Sequence, residues 1–301
     1  MDKAEYSASV VIPSSGRPAV LEATLEALCN LDAPRGSFEV IVVDDGAVPP
    51  LQDRLRPYRE RLVLRSLRLE GRGPGAARNA AAGMAFSQLL IFLDDDCVPV
   101  PHWLRAYLDA GAEFPDCALA GPILNALPGN LCSEAFHLIF GYLYSRHVAG
   151  KPEGAGTHAP FIISANFAVP AELFRSLGGF DEQFRVAAED RMFSENWLRS
   201  GRKFRAVGDA RVYHNRPLTA RAFVKQQFVY GRGSMVFRRA VRQRGWPDPT
   251  AESASFYRDL LLVALRDPDP LRRPVIFLLL ALSQIATAAG YFTEYASGER
   301  A

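Results

Sequence analysis

Short apolar runs that alternate with helical patterns are the feature that most constrains how this chain folds. Residues 9–12, 40–43 and 89–93 are such runs, without the polar alternation of a half-exposed strand. Between them, residues 20–31 place apolar side chains at helical spacing, and residues 76–85 suit a helix. Apolar strands separated by helices predict a parallel sheet with helices on both faces. Such sheets bind ligands beyond the carboxyl ends of their strands, so the residues that follow each run are the informative ones.

Three consecutive carboxylates, Asp94, Asp95 and Asp96, follow the third run directly. They repel one another, and burial would raise their pKa values unless a cation or several donors compensated. In an extended chain Asp94 and Asp96 point to the same side and Asp95 to the other. Oxygen ligands of this kind suit Mg²⁺ or Mn²⁺, although a solvated turn would contain the same residues. The triplet therefore predicts either a divalent-cation site or an acidic turn.

Four other segments carry weaker signals of a ligand site. Residues 44–46, Asp-Asp-Gly, are either an ordinary turn or a carboxylate that accepts hydrogen bonds from a nucleoside. The glycine-rich residues 71–75 could present backbone N–H groups to a phosphate, but they lack the lysine of a P-loop. Residues 189–190, Glu-Asp, either favour a helix start or place Asp190 as a general base. His214 is either a packed imidazole or a metal ligand.

In their order and spacing, these segments resemble the family 2 glycosyltransferases of the GT-A fold. The matching blocks are residues 10–14, 41–46, 76–79, 92–96, 166–169, 178–182, 189–190 and 212–214. The resemblance covers residues 8–235. It implies a Rossmann-like mixed α/β sheet flanked by helices, with a helical C-terminal extension. We expect a nucleotide-sugar-binding part at 1–125, an acceptor and catalytic-base part at 126–218 that shares the same cleft, and a basic helical region at 219–301.

The resemblance also implies which residues bind and react. Asp190 would be the catalytic base, and Asp94, Asp96 and His214 would hold Mn²⁺ or Mg²⁺ at a DxD metal motif. The residues that would bind the nucleotide sugar are Ser14, Asp44, Asp45, Arg78, Asp94, Asp95, Asn166, Gly179, Asp181 and Glu189. The implied reaction is an inverting transfer of one sugar from a nucleoside-diphosphate sugar to an acceptor hydroxyl, in glycan, polysaccharide or glycolipid biosynthesis.

Two segments depart from the family pattern. The first loop has Ser15-Gly16 where the family usually carries an aromatic residue and an asparagine. Residues 226–233 lack the Arg-Trp pair of the Gln-x-x-Arg-Trp motif found in processive polysaccharide synthases. The second departure favours the transfer of a single sugar over chain extension.

Basic residues are concentrated in one segment of a chain whose formal net charge is only +2. Residues 199–244 hold thirteen basic side chains and one acidic side chain, Asp209, while the rest of the chain is acidic. The basic segment would suit a diphosphate, the phosphate of a lipid-linked acceptor or an anionic membrane surface, with solvated arginines as the alternative. Nucleic acid is not among the expected partners.

The uncharged residues 275–292 form the longest apolar run. Their number lies at the lower limit for a membrane-spanning helix, and a buried C-terminal helix fits equally well. Arg272 and Arg273 directly precede the run and favour contact with the inner face of the cell membrane. Four cysteines without a CxxC pair, and a polar segment at 1–7, predict a cytoplasmic protein.

Two other functions fit parts of the sequence. A sugar nucleotidyltransferase would share the sheet and the acidic site, and residues 14–17 weakly resemble its glycine-rich loop. A non-catalytic scaffold docked to a membrane would explain the basic segment and the apolar run. It would not explain why the Asp94, Asp96, Asp190 and His214 set is intact.

Overall fold

A seven-stranded mixed sheet lies at the centre of the computed structural model, which describes residues 6–149, 161–185, 187–249 and 252–298. Its strands are β1 (Ala8–Ser14), β2 (Phe38–Asp45), β3 (Val63–Leu69), β4 (Leu89–Leu93), β6 (Ala118–Ala120), β8 (Asn166–Pro170) and β9 (Phe204–Ala206), in the order β3-β2-β1-β4-β8-β6-β9. The first four strands are parallel, and β8 runs antiparallel to both β4 and β6. The predicted α/β fold with a mixed sheet is confirmed.

Helices cover both faces of this sheet. The helices that precede residue 200 are α1 (Pro18–Cys29), α2 (Gln52–Leu55), α3 (Pro74–Met84), α4 (Trp103–Glu113), α5 (Leu131–Tyr144), α6 (Ala171–Ser176) and α7 (Glu189–Arg199). Val10 and Ile12 of β1 pack in the core on the side of α1 and α4, whereas Val11 packs on the side of α3 and α7. Because successive side chains of a strand point to opposite faces, a strand buried on both sides must be apolar throughout.

A second, three-stranded sheet holds the residues that follow β4. It has the order β5 (Cys97–Pro99), β10 (Val212–His214), β7 (Ile123–Asn125). The register pairs His214 with Cys97, so the end of β10 lies beside the acidic triplet. Strands of three residues are too short to show a hydrophobic period, so β5 and β7 were not predicted from the sequence.

The C-terminal region is helical, as predicted. It contains α8 (Ala220–Gln243), α9 (Ala254–Leu262) and α10 (Arg273–Gly298). Helices α8 and α10 touch at two glycines, because a Cβ on Gly231 would lie 1.9 Å from the Thr287 carbonyl oxygen and one on Gly290 would lie 1.9 Å from that of Phe228. Only residues without a side chain allow two helices to approach so closely.

The apolar run at 275–292 lies within α10 and has two different faces. Ile276 and Leu280 are fully buried against the C-terminal core, whereas Leu278 and Ile285 are each 66% exposed. Within the described residues α10 is the one helix long and apolar enough to cross a membrane, and 28% of its apolar window is buried. Helix α10 is therefore buried on one face and exposed on the other.

Candidate functional site

The carboxyl ends of the parallel strands open into a cavity of about 980 Å³. Eight of the residues predicted from the sequence line it, namely Ser14, Asp45, Arg78, Asp94, Asp95, Glu189, Asp190 and His214. They come from β1, β2, α3, the turn after β4, α7 and β10. The sheet thus brings together residues up to about two hundred positions apart, because parallel strands end at one edge.

The acidic triplet forms a turn and does not continue β4. Leu93 ends the strand, and the backbone N–H of Cys97 donates to the carbonyl oxygen of Asp94 at 3.1 Å, which closes the turn. The expectation that Asp94 and Asp96 point the same way from an extended chain is therefore wrong. Arg78 Nη2 donates to Asp94 Oδ1 at 2.6 Å, whereas Asp96 Oδ1 lies 3.0 Å from His214 Nε2.

Arg17 holds the other two carboxylates of the triplet. Its guanidinium pairs with both Asp95 and Asp96, and Ser14 Oγ donates to Asp95 Oδ2 at 2.6 Å. Burial raises the pKa of Asp95 to about 6, against the opposing effects of Arg17 and Ser14. Arg17 was not among the residues predicted from the sequence, although a basic residue three positions after the end of a strand was the available signal.

Asp96 and His214 each have one buried polar atom that lacks a hydrogen bond. Asp96 Oδ1 and His214 Nε2 approach to 3.0 Å without hydrogen-bond geometry, and neither has a hydrogen-bond partner in the described part of the chain. Both residues are nearly inaccessible to solvent. Buried polar atoms are normally satisfied, so such a pair indicates a ligand.

The tautomer of His214 is set by a second histidine, His137 of α5. His137 Nδ1 lies 2.6 Å from the carbonyl oxygen of Ser133, which can only accept, so this nitrogen carries a proton. Burial lowers the pKa of His137 to about 4, which leaves its Nε2 free to accept from His214 Nδ1 at 3.1 Å. His214 Nε2 then presents a lone pair towards a carboxylate oxygen. Two acceptors that face each other attract a cation.

The donor atoms at this point suit a divalent ion. One ligand atom each of Asp96, Cys97 and His214 lies within 4.8 Å of the others. Burial raises the pKa of the Cys97 thiol, so it stays protonated and is a poor ligand. A carboxylate and an imidazole remain, and both are compatible with Mn²⁺. Asp94, which the resemblance placed in the metal set, lies outside this cluster and pairs with Arg78.

Arg78 and Asp190 form the other side of the site. Arg78 is 3% exposed and bridges Asp94 to Glu189, whose Oε1 accepts from its Nη1 at 3.0 Å. Asp190 Oδ1 accepts from the backbone N–H of Arg191 at 2.8 Å. Burial raises the pKa of Asp190 to about 7, and the charge of Glu189 adds to this shift while Arg78 opposes it. A carboxylate with this pKa can accept a proton near neutral pH.

Asp44 and Asn166 are predicted site residues whose side chains are used inside the fold. The Asp44 carboxylate accepts from the backbone N–H groups of Ala47 and Leu51 and from Arg68. The side-chain oxygen of Asn166 accepts from Trp103 and Tyr107, and its nitrogen donates to the carbonyl oxygens of Pro122 and Ala210. Neither residue lines the cavity.

Gly179 and Asp181 also lie outside the cavity. Gly179 has a φ of +67°, and a Cβ there would lie 2.5 Å from Asn79 Oδ1. Asp181 pairs with Arg244 and accepts from the side-chain amide of Gln183 at 2.6 Å. These contacts give both residues structural roles at the loop before α7.

Known protein families match most of the chain. The model named Glycosyl transferase family 2 matches residues 9–164, and the model named Glycosyl transferase family group 2 matches residues 89–292. Hyaluronan synthase of Pasteurella multocida is 27% identical over 238 residues, which are 69% of this chain and 24% of that protein. Pre-mycofactocin glycosyltransferase of Mycobacterium tuberculosis is 28% identical over 249 residues, 81% of this chain and 49% of that protein. The chain spans about a quarter to a half of the length of these relatives.

Solved structures share the fold at lower identity. The mannosyltransferase PcManGT from Pyrobaculum calidifontis, in complex with GDP-Man and Mn²⁺, matches with a TM-score of 0.61 and 18% identity, over 99% of this chain and 80% of that one. Staphylococcus aureus TarS 1-349, in complex with UDP, matches with a TM-score of 0.52 and 17% identity, over 97% of this chain and 91% of that one.

Proposed function

We propose that this chain, which belongs to glycosyltransferase family 2 and has its GT-A fold, transfers one sugar with inversion. The donor would be a nucleoside-diphosphate sugar and the acceptor a hydroxyl group. The observation that carries the proposal is a single cavity lined by Asp190, with its raised pKa, and by His214 of the unsatisfied Asp96–His214 pair. An inverting transfer needs a base on one side of the sugar and positive charge on the other. The acceptor would belong to glycan, polysaccharide or glycolipid synthesis.

Asp96 and His214 would hold the divalent ion, Mn²⁺ or Mg²⁺. The bound ion would supply positive charge that stabilises the leaving diphosphate. Arg216 would assist, because it lines the cavity next to this pair and makes no ion pair within the described ranges. The Mn²⁺ and GDP-Man in the related mannosyltransferase structure support this assignment.

Asp190 would remove the proton from the acceptor hydroxyl. Its carboxylate is held at the first turn of α7 by the backbone N–H groups of Arg191 and Ser164. Burial by the surrounding elements raises its pKa, so the group is a stronger base than an exposed aspartate. Rigid placement and a pKa near neutrality are the two properties that a general base requires.

The donor would bind at the strand ends. Ser14, Asp45, Arg78 and Asp94 line the cavity there, and Asp45 already fixes the loop at Arg72 by accepting its backbone N–H at 2.8 Å. The complexes of TarS with UDP and with UDP-GlcNAc support a nucleotide site in this fold. We propose the same division of the chain as above, with the donor part at 1–125, the acceptor part at 126–218 and the helical region at 219–301.

The apolar face of α10 would contact the inner face of the cell membrane. Leu278, Ile285 and Phe292 are each about two-thirds exposed and recur at helical spacing. Arg272 and Arg273 precede this face, where cations favour anionic headgroups. The protein would therefore be cytoplasmic and peripheral to the membrane.

A binding screen followed by a product assay tests the proposed reaction. Thermal unfolding is measured with UDP-, GDP- and dTDP-sugars, each with and without Mn²⁺, because a ligand that binds the folded state raises its stability. We expect one nucleotide to raise the melting temperature only when Mn²⁺ is present. Incubation with that donor and an acceptor should release free nucleoside diphosphate.

The same assay separates the alternatives. Exchange of pyrophosphate without release of nucleoside diphosphate would identify a sugar nucleotidyltransferase and contradict transfer. If no nucleotide sugar binds with or without Mn²⁺, the protein is a scaffold of this fold and the proposed reaction is wrong.

A further inference from the structure

The cavity is larger than the strand-end site because the C-terminal helices form part of its wall. The apolar side chains on this side are Phe136 and Phe140 of α5, Tyr230 and Phe237 of α8, and Phe256 and Leu260 of α9. Gln284 and Thr287 of α10 also line it. The proposed roles of the metal pair and of Asp190 do not use this apolar wall.

Five arginines line the cavity, and they differ in their partners. Arg17 pairs with Asp95 and Asp96, Arg78 with Asp94 and Glu189, and Arg199 with Glu195. Arg191 and Arg216 make no ion pair with any residue in the part of the chain that the structure describes. Arg216 lies beside the metal pair, which leaves Arg191 without an assigned partner.

Arg191 lies in surroundings that make an unpaired charge costly. Its guanidinium carbon is 4.5 Å from the centre of the Phe237 ring and 5.9 Å from that of Phe161. Burial lowers its pKa below the ordinary value for arginine. The charges of Glu252, Asp190 and Glu195 oppose this shift, although none of them forms a direct ion pair with Arg191 within the described residues. A partly buried cation without a carboxylate in direct contact is stabilised less than one that binds a carboxylate or phosphate. The residue also directly follows Asp190, so an anion bound to it would lie on the proposed acceptor side.

We infer that Arg191 and the apolar wall form an acceptor subsite for a phosphate group attached to a lipid chain, an inference that rests on the proposed transfer reaction. The guanidinium binds the phosphate through charge-assisted hydrogen bonds, and the aromatic and aliphatic side chains of α5, α8 and α9 cover the start of the chain. Helix α10 lines this part of the cavity with one face and exposes an apolar face on the other. A lipid that leaves the cavity along this helix would meet the apolar surface there.

Calorimetric titration of the full chain with three probes tests the subsite. The probes are farnesyl phosphate, farnesol and inorganic phosphate, used with wild type, Arg191→Gln, Arg191→Lys and Arg199→Gln. Arg199 is a matched control because it lies on the same helix, 4.5 Å from the Trp246 ring, but has a carboxylate partner. Mn²⁺-dependent nucleotide binding is measured in parallel on every variant.

We expect wild type to bind farnesyl phosphate more tightly than either farnesol or inorganic phosphate. Arg191→Gln should weaken farnesyl phosphate binding by about 10- to 100-fold, the effect of losing a hydrogen bond to a charged group. Arg191→Lys should keep most of the affinity, since it keeps the charge, and Arg199→Gln should leave it unchanged. Nucleotide binding should be unaffected by Arg191→Gln, which also shows that this variant is folded.

Three results would overturn the inference. Equal binding of farnesyl phosphate to wild type and Arg191→Gln would remove the role of Arg191. Equal binding of farnesol and farnesyl phosphate to wild type would exclude recognition of the anion. Equal binding of inorganic phosphate and farnesyl phosphate would exclude the lipid chain. Absence of nucleotide binding, with farnesyl phosphate still bound through Arg191, would instead contradict the proposed transfer and leave the lipid-phosphate site standing.

Discussion

Asp190 shows how burial changes the chemistry of a single side chain. Asp190→Asn should lower turnover by about 10²- to 10⁴-fold, the usual effect of losing a general base. Mn²⁺-dependent donor binding should persist, because the amide keeps the size and hydrogen-bond acceptor of the carboxylate. Release of nucleoside diphosphate measures the first effect and calorimetry the second. Glu195→Gln on the same helix is the control and should retain turnover, and near-wild-type transfer by Asp190→Asn would exclude this residue as the base.

The raised pKa of Asp190 also sets the direction of two pH effects. The base is active when ionised, so the rate should rise with pH up to about 7 and then level off. Stability should respond in the opposite sense. The folded state holds a proton that the unfolded state has already lost, so this group's contribution to the free energy of unfolding falls between about pH 4 and pH 7.

Thermal unfolding of wild type and Asp190→Asn at several pH values measures the stability effect. The asparagine variant carries no buried charge at this position. We therefore expect it to gain stability relative to wild type as the pH rises from about 4 to about 7. A constant difference in melting temperature across this range would show that burial does not raise the pKa of Asp190.

His137 would be a positioning residue for the proposed metal site. His137→Phe removes the acceptor that fixes the tautomer of His214, and the affinity for Mn²⁺ should fall by about 10- to 100-fold, as for other partners of metal-binding histidines. Calorimetric titration with Mn²⁺ in the presence of the nucleotide found by the screen measures this change. His102, which is exposed, provides the control variant His102→Phe. Unchanged Mn²⁺ affinity in His137→Phe would separate the histidine pair from the metal site.

At the scale of elements, the contact between α8 and α10 decides the position of the C-terminal region. Gly231→Ala and Gly290→Ala would each place a methyl group 1.9 Å from a backbone oxygen of the other helix. We expect each to destabilise the fold by about 1–3 kcal/mol, as overpacking does elsewhere. Denaturant unfolding measures the loss. A Cβ at Gly141 of α5 would have nothing within 4 Å, and Gly141→Ala should be neutral or stabilising because alanine favours a helix. A similar loss of stability in Gly141→Ala would show that the contact between α8 and α10 is not the cause.

For the whole molecule, we expect the apolar face of α10 to determine whether the protein binds to a membrane surface. Wild type should sediment with anionic vesicles at low salt and less so at high salt. The double variant Leu278→Asp with Ile285→Asp should remain in the supernatant while keeping its stability, since both side chains are largely exposed. Val48→Asp changes an exposed apolar residue elsewhere and is the control. Sedimentation of the double variant equal to that of wild type would show that α10 does not bind the membrane.

The α/β class, and the edge of the sheet where the candidate site lies, could be predicted from patterns in the sequence. Apolar runs such as 40–43 and 89–93 require burial on both faces, and parallel strands then place their carboxyl ends together. This local, periodic pattern predicted that Ser14, Asp45 and Asp94 lie together, and all three line the cavity. The order and spacing of the matching segments indicated the family.

The contacts of each side chain could not be predicted in this way, because they depend on how the elements pack in three dimensions. The turn that closes at Cys97 sends Asp94 to Arg78 and Asp96 to His214, although the two aspartates are neighbours in an apparently uniform triplet. Asn166, which was expected at the donor sugar, makes its side-chain hydrogen bonds to residues in the core. The pairing of His137 with a histidine 77 positions away, and the absence of an ion pair at Arg191 among the described residues, depend on contacts between distant elements. Such contacts have no period along the chain, because they are fixed by how the elements pack and not by the sequence around each residue.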